Sequence, residues 1–291
     1  MKKIVLIIFC CGFVFSGCVE KEKPPVNERQ VVIYFSLTSL SNSPIKSTTA
    51  TSAENQISKI ILFGVDDQNK VVETYPAIPN PSLSGTKLAI SNSVKFIYAI
   101  ANPSSSIEEA KLSTVSDIMN LTEDFTTPPV SPFLMGGKGE VVDDRVNIEM
   151  IRAIAKIDVI GKNDYQIESV TVRNTPNKGY VFAQETLSVP STAQRVRYPT
   201  VNSATPTLYV AESTRLNQLR LDVTGTANGK QTPVTVTLLN NGNPIDIVRN
   251  THYQVSITSD PNKEVVVTVT VQEWIKGEKL DDHIIPDDAF N

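Results

Sequence analysis

The feature that most constrains the fold is a series of short segments in which apolar and polar residues alternate, with turn-forming residues between them. In residues 31–38 the odd-numbered positions are Val, Ile, Phe and Leu. Because successive side chains of a strand point to opposite faces, this pattern predicts a strand with one buried face. Comparable segments include residues 57–65, 94–101, 153–160 and 265–271. Many short strands separated by turns predict an all-β protein built of sandwiches.

One helix is predicted among these strands. Ser106 can cap its start, and Glu109 completes a capping box three residues later. Four apolar residues then fall on one helical face, which we expect to cover a sheet: Leu112, Val115, Ile118 and Met119. Residues 41–56 are polar and rich in Ser, Thr and Ala, and we predict that they form a long exposed loop.

The amino terminus has the pattern of an export signal. Lys2 and Lys3 precede an apolar run, residues 4–15, which is shorter than the roughly 20 residues that a membrane-spanning helix needs. The run ends in Phe15-Ser16-Gly17-Cys18, which indicates cleavage before Cys18 and lipidation of its thiol. The alternative is an ordinary signal followed by a chance cysteine. The other two cysteines lie within the signal, so Cys18 is the one that would remain after cleavage.

Composition excludes several classes of function. The net charge is −4 and there is no basic stretch, which argues against nucleic-acid binding. After the signal, no apolar run approaches membrane-spanning length. The two histidines are His252, at the start of a predicted strand, and His283, in the acidic tail; the chain has no Gly-x-Ser-x-Gly motif and no zinc-ligand spacing. We therefore predict no catalytic residue, no metal ligand and no cofactor, and we expect that the protein is not an enzyme.

Three further patterns have both a chemical and a structural interpretation. The pairs Asp66-Asp67 and Asp143-Asp144 could act as acid–base or calcium carboxylates, but turn residues are the favoured interpretation. Residues 136–139 (GGKG) lack the full spacing of a phosphate-binding loop. Trp274 could stack on a sugar, although a tryptophan after a Val-x-Val strand is more often part of a core.

Six segments carry a family resemblance. They are residues 132–137 (PFLMGG), 148–159 (IEMIRAIAKIDV), 168–180 (ESVTVRNTPNKGY), 208–213 (LYVAES), 249–255 (RNTHYQV) and 269–274, which ends in Trp274. In this order, and together with the lipidation motif, they resemble the fimbrillin family, the pilins of Bacteroidales type V pili. Ser213 stands where the family has an asparagine. With the strand pattern, the resemblance predicts two tandem transthyretin-like β-sandwich domains with one short helix.

The resemblance implies a structural subunit, stalk or anchor, that assembles by strand exchange. A trypsin-like protease would cut behind the first strand, residues 30–40, and the terminal strand of a neighbouring subunit would take its place. The family's cut usually follows an arginine, yet this chain has none between Arg29 and Arg145, and Lys46 is the basic residue of the loop before Gln56. Either the protease accepts Lys46, or the strand stays and the subunit is an anchor.

The candidate donor strand is the carboxyl-terminal segment, whose apolar residues could fill pockets of a neighbour: Leu280, Ile284, Ile285 and Phe290. Pro286 and four aspartates weaken this segment as a long strand. The predicted organisation is a signal peptide (1–17), a tether (18–29), an N-terminal sandwich (30–150), a C-terminal sandwich (151–275) and an acidic tail (276–291).

The predicted location is the cell surface, in the outer membrane as a lipoprotein and in the fimbrium. The predicted partners are other pilin subunits, the membrane lipid at Cys18 and the processing protease. The alternative function is a non-polymerising surface lipoprotein that binds a glycan or a host protein through its loops.

Overall fold

A computed structural model describes residues 27–37, 47–240, 242–259 and 265–276 of the chain. Several predicted features lie outside these described residues: the signal peptide, Cys18, most of the tether, Lys46 and the tail that holds Leu280, Ile284, Ile285 and Phe290. The proposed lipidation, processing and donor sites therefore stay predictions. Within the described part, strands dominate and the expected all-β class is confirmed.

The strands follow one another with few helices between them. In chain order they are β1 (Glu28–Leu37), β2 (Ser47–Ala50), β3 (Lys59–Val65), β4 (Val71–Pro79), β5 (Thr86–Ser91), β6 (Phe96–Ala101), β7 (Thr122–Asp124), β8 (Met135–Val142), β9 (Arg145–Arg152), β10 (Ile154–Lys162), β11 (Tyr165–Arg173), β12 (Thr175–Pro176), β13 (Lys178–Tyr180), β14 (Arg195–Val196), β15 (Val201–Asn202), β16 (Thr207–Ala211), β17 (Arg220–Ala227), β18 (Lys230–Gln231), β19 (Val234–Thr237), β20 (Leu239–Asn240), β21 (Asn243–Pro244), β22 (Thr251–Ser259) and β23 (Val265–Lys276).

The predicted single helix is divided into two short ones, α1 (Ser105–Glu108) and α2 (Val115–Met119), and a 3-10 turn follows much later at Arg215–Asn217. The capping box expected at Ser106 and Glu109 is instead formed at α2, by Thr114 and Asp117. The helix is interrupted because the backbone just before α2 pairs with the start of β4: the Val71 amide donates to the Ser113 carbonyl over 2.9 Å.

The predicted role of this region is confirmed, because its apolar residues lie against the core. Ile107 and Ile118 are buried. Leu112, Val115 and Met119 are partly buried against the same cluster. The two short helices thus cover a sheet, as the apolar face indicated.

Three larger sheets organise the described residues. One has seven strands in the order β4-β3-β6-β8-β9-β1-β5, and a second has the order β16-β10-β22-β23-β2. The third has the order β15-β11-β17-β18, with β19 also paired to β17. Since strands from residues 28–152 form the first sheet and mostly later strands form the other two, sequence neighbours tend to be spatial neighbours.

Two clusters of buried side chains lie against these sheets. The first includes Ile33, Ile60 and Ile148, and the second includes Val170 and Val255. Along β10 the change from one cluster to the other falls between Ile154 and Ala155, but Ala211 and Trp274 belong to the first cluster. The division into domains at residues 150 and 151, and their transthyretin-like form, stay predictions.

The two aspartate pairs and residues 136–139, which had both a chemical and a structural interpretation, have structural roles. Asp66 Oδ1 accepts the amides of Gln68 and Lys70, each over 2.9 Å, as in an Asx turn. Asp143 and Asp144 have φ angles of 47° and 57°, which is the left-handed pair of a tight hairpin turn. Residues 136–139 lie within strand β8 and form no loop.

Candidate functional site

Strand β1 lies in the interior of the seven-stranded sheet although it is the first described strand of the chain. It runs parallel to β9, with Val32 opposite Arg145 and Leu37 opposite Met150. On its other side it runs antiparallel to β5, where Glu28 lies opposite Ser91. The strand therefore satisfies backbone donors and acceptors of two neighbours. If β1 were absent, β5 would lose its pairing within this sheet and β9 would keep only β8.

One face of β1 supplies apolar side chains to the first core. Ile33 is fully buried, and Val31, Phe35 and Leu37 are at most 7% exposed. The predicted alternation is thus confirmed. Burial of a large apolar side chain stabilises by about 1.5 to 3 kcal/mol, so the four contribute roughly 6 to 12 kcal/mol. The space that β1 occupies, between β9 and β5, is called the β1 seat below.

The prediction that residues 41–56 form a long exposed loop is wrong for residues 47–56, the part of this range that the structure describes. Ser47–Ala50 forms strand β2, which runs parallel to the end of β23 at the edge of the second sheet, with Ser47 opposite Glu273. Residues 51–56 form a turn, closed by hydrogen bonds between Thr51 and Glu54. Polar composition indicated exposure, but the backbone of this segment is paired and Glu54 is only 2% exposed.

Arg152, at the end of β9, joins segments that are far apart in the sequence. Its Nε donates to the Glu54 carbonyl over 3.1 Å, and its Nη1 donates to Asn250 Oδ1 over 2.7 Å and to the Trp274 carbonyl over 3.3 Å. Nη2 donates to the side chain of Asn55. The guanidinium carbon lies 4.5 Å from the centroid of the Trp274 ring, within cation–π range. Burial lowers the pKa of Arg152 to about 10.

Glu54 balances the buried positive charge of this junction. Its Oε1 lies 2.9 Å from Lys156 Nζ and accepts the Tyr209 hydroxyl over 2.7 Å. Burial alone would raise the pKa of Glu54, but the hydrogen bonds from Lys156, the Thr51 amide and Tyr209 outweigh it and leave the pKa below its usual value. Burial and the bond to Glu54 raise the pKa of Tyr209. The ionised carboxylate is therefore the stable form here.

Three aromatic rings complete the junction. Tyr209 stacks on Trp274 with 5.9 Å between centroids, and Phe133 lies against both rings. Trp274 is fully buried, so the core interpretation of this residue is confirmed. Arg152, Glu54, Lys156, Tyr209 and Trp274 are called the junction cluster below.

A second buried ion pair lies at the start of β22. Arg249 Nη2 is 2.6 Å from Glu212 Oε2, and its two terminal nitrogens donate to the carbonyls of Val181 and Tyr180, each over 2.8 Å. The next residue, Asn250, has a φ of 52°, in the left-handed region that asparagine tolerates in turns. His252 Nε2 lies 2.8 Å from Asp158 Oδ2.

Arg152 and Lys156 belong to a segment that carries the family resemblance, and the structure buries both side chains at the junction. Sequence reasoning missed Glu54 altogether, because nothing in a polar Ser/Thr-rich stretch marks one carboxylate as buried. The pairing of Arg249 with Glu212 was also missed. A signal existed there, since both residues stand within segments that resemble family motifs.

Among the described residues, no group of three or more His, Cys, Asp or Glu side chains could hold a metal ion. The helices in that part of the chain are too short or too polar to cross a bilayer.

The fold and the junction define an all-β protein whose first described strand lies between two neighbours inside a sheet. A model of the family described as "Fimbrillin-A associated anchor proteins Mfa1 and Mfa2" matches residues 46–278. The chain belongs to this family, which is one of fimbrial structural proteins of the cell surface. The resemblance drawn from the sequence is confirmed.

Solved structures share the fold. A candidate cell adhesion protein from Bacteroides eggerthii DSM 20697 aligns with a TM-score of 0.63 and 16% identity, covering 84% of this chain and 96% of that one. The tip fimbrial protein Mfa3 from Porphyromonas gingivalis, with a C-terminal truncation, aligns with a TM-score of 0.60 and 13% identity, covering 84% and 100%. No curated protein matches the sequence significantly.

Proposed function

We propose that the chain is a structural subunit of a type V fimbria, a stalk or an anchor, which is exported as an outer-membrane lipoprotein and assembled by strand exchange. The observation that carries the proposal is the position of β1. It is the first described strand, it lies between β9 and β5, and its buried face holds four apolar side chains. A strand from another subunit could restore both backbone ladders and refill the same pockets.

The chain that follows β1 supports the same proposal. A cut after Lys46 would leave Ser47 as the new first residue, and Ser47 begins strand β2. Four backbone pairs join β2 to β23, and Glu54 lies in the junction cluster immediately after it. The portion from Ser47 onward would therefore keep its own attachment to the second sheet when β1 is released.

The proposed anchor role follows if Lys46 is not cut. Lipid at Cys18 and β1 would then remain on one continuous chain, so the subunit would hold a filament to the membrane. Sequencing the amino terminus of the protein recovered from cell-surface fractions distinguishes the two roles. Retention of residues 18–46 supports the anchor, and an amino terminus at Ser47 supports a stalk. Lys46→Gln should abolish such a cut, whereas Lys70→Gln, an exposed control, should not.

A disulfide that fixes β1 in its seat tests strand exchange directly. Val32 and Lys87 are cross-strand partners on β1 and β5. Changing both to cysteine should tie β1 to β5, and the oxidised variant should not incorporate another subunit's strand. The control has serine at both positions. Electron microscopy and gel analysis of the filaments should show assembly for the control and for the reduced variant. Filaments of normal length from the oxidised, fully locked variant would overturn the stalk role, in which β1 must leave. An uncut anchor keeps β1 in place, so it should tolerate the lock.

A further inference from the structure

A concave pocket on the third sheet concentrates positive charge. Its volume is about 690 Å³, and its walls carry four arginines, Arg173, Arg195, Arg197 and Arg220, beside Asp222 and Thr235. The chain as a whole has a net charge of −4. Four guanidinium groups around one carboxylate are therefore a local concentration of positive charge on a weakly acidic protein. These residues are called the arginine pocket below.

Strand pairing forces the charges together. Arg173 on β11 and Arg220 on β17 are direct cross-strand partners. Like charges in directly opposite positions of a sheet are destabilising. Asp222 partly offsets this, since it accepts the Nε of Arg173 and the Thr235 hydroxyl. A concave surface lined by charges of one sign attracts ligands of the opposite sign, so this one is a candidate anion site.

The arginines differ in how firmly they are held. Arg195 is fixed by hydrogen bonds from Nη1 to the Asn174 carbonyl and to Ser213 Oγ, over 3.2 and 3.0 Å. Burial lowers its pKa. Arg197 and Arg220 are exposed and, among the described residues, form no ion pair. The pocket thus combines one guanidinium group in a fixed position with two exposed ones. Together they can donate hydrogen bonds to a bound anion from several sides.

The lining favours a peptide carboxylate over a sugar. No aromatic ring is among the residues that line the pocket in the described part of the chain, so a saccharide has no ring face to stack on. Guanidinium groups pair with carboxylates through two parallel hydrogen bonds. The chain itself contains a matching partner: residues 276–291 hold two aspartate pairs, Asp281-Asp282 and Asp287-Asp288.

We propose that the arginine pocket binds the acidic carboxyl-terminal segment, residues 276–291, of a second copy of this chain. The inference rests on the proposed function, strand exchange between subunits, with this segment as the donor that the sequence analysis predicts. It gives the aspartates a role, although they weaken the segment as a strand. The apolar residues of the segment and its carboxylates would then serve two different contacts between subunits.

A peptide-binding measurement tests the pocket. The full mature chain is prepared with its own four aspartates changed to asparagine, so that its own tail does not compete. A fluorescent peptide of residues 277–291 is then titrated with this protein and anisotropy is recorded. The peptide should bind, and binding should weaken as salt concentration rises. The same peptide with four Asp→Asn changes should not bind.

Two double variants locate the contact. Arg197→Gln with Arg220→Gln should weaken binding by about tenfold or more, since each change removes a charged donor to the carboxylates. Arg145→Gln with Arg215→Gln is the control, because it removes two exposed arginines from outside the pocket. Equal weakening by both double variants would overturn the proposal, as would equal binding of the asparagine peptide. Tighter binding of a sulfated oligosaccharide than of the peptide would also overturn it.

The cysteine-locked β1 variant separates this inference from the proposed function. Because the arginine pocket does not include the β1 seat, the locked protein should bind the peptide as well as the serine control does. Peptide binding that disappears on locking would mean that the peptide enters the β1 seat. That result would overturn the arginine-pocket proposal and leave strand exchange standing.

Discussion

Glu54 and Lys156 form a buried ion pair, with 2.9 Å between Oε1 and Nζ. Glu54 lies in the turn after β2, and Lys156 lies in β10. The pair therefore ties the segment immediately behind the proposed cut to strand β10 of the second sheet. Several measurable consequences follow from this contact and from the strands around it.

Removing the charge of Glu54 should destabilise the fold. Glu54→Gln leaves the Lys156 ammonium buried without its counter-charge, and breaking a buried pair in this way costs about 3 kcal/mol or more. Urea denaturation followed by the fluorescence of Trp274 measures the free energy of unfolding. Glu108→Gln is the control, because it breaks the more exposed pair with Lys59 and should cost less than about 1 kcal/mol. Equal losses in the two variants would contradict the assignment.

The contribution of Glu54 should depend on pH in one direction. Its pKa is lower in the folded protein than the usual value. A carboxyl of this kind stabilises the fold above its unfolded pKa, and the contribution is lost as pH falls through the folded pKa. The difference in unfolding free energy between wild type and Glu54→Gln should thus be full near neutral pH and shrink below about pH 4. A difference that stays constant down to about pH 3 would exclude this.

The side chains on the buried face of β1 should contribute more to the free energy of unfolding than those on its other face. Ile33→Ala should lower the free energy of unfolding by about 2 to 5 kcal/mol, because a fully buried isoleucine leaves a cavity. Val32→Ala, on the opposite and partly exposed face of the same strand, should cost clearly less. Chemical denaturation of both variants gives the comparison. A larger loss for Val32→Ala would show that the strand faces the other way.

A glycine in β8 should be irreplaceable for steric reasons. A Cβ at Gly137 would lie 2.3 Å from the Glu149 carbonyl oxygen of β9, too close for any side chain. Gly137→Ala should therefore lower the thermal midpoint. The control is Gly229→Asn, because asparagine tolerates the left-handed φ of 71° and a Cβ there meets nothing within 4 Å. A midpoint unchanged in Gly137→Ala would contradict the close strand packing.

Local sequence signals predicted much of this fold. Features that depend on contacts between distant parts of the chain could not be predicted. The alternation at Val31, Ile33 and Phe35 reports burial on one strand face, so it could be recognised without any partner. Glu54 could not, because its partners Lys156 and Tyr209 come from much later in the chain. The single-helix prediction failed for the same reason, since pairing of the Val71 amide with Ser113 divides the helix.

The mixed surroundings of β1 have a directional consequence. One neighbour, β9, runs parallel to it, and the other, β5, runs antiparallel. The two arrangements place their hydrogen bonds at different spacings, so a strand entering backwards would meet the wrong ladder on each side. Any replacement must point the same way as the original. A filament of subunits joined through the β1 seat would consequently have two different ends, a head and a tail, and could grow with one fixed polarity.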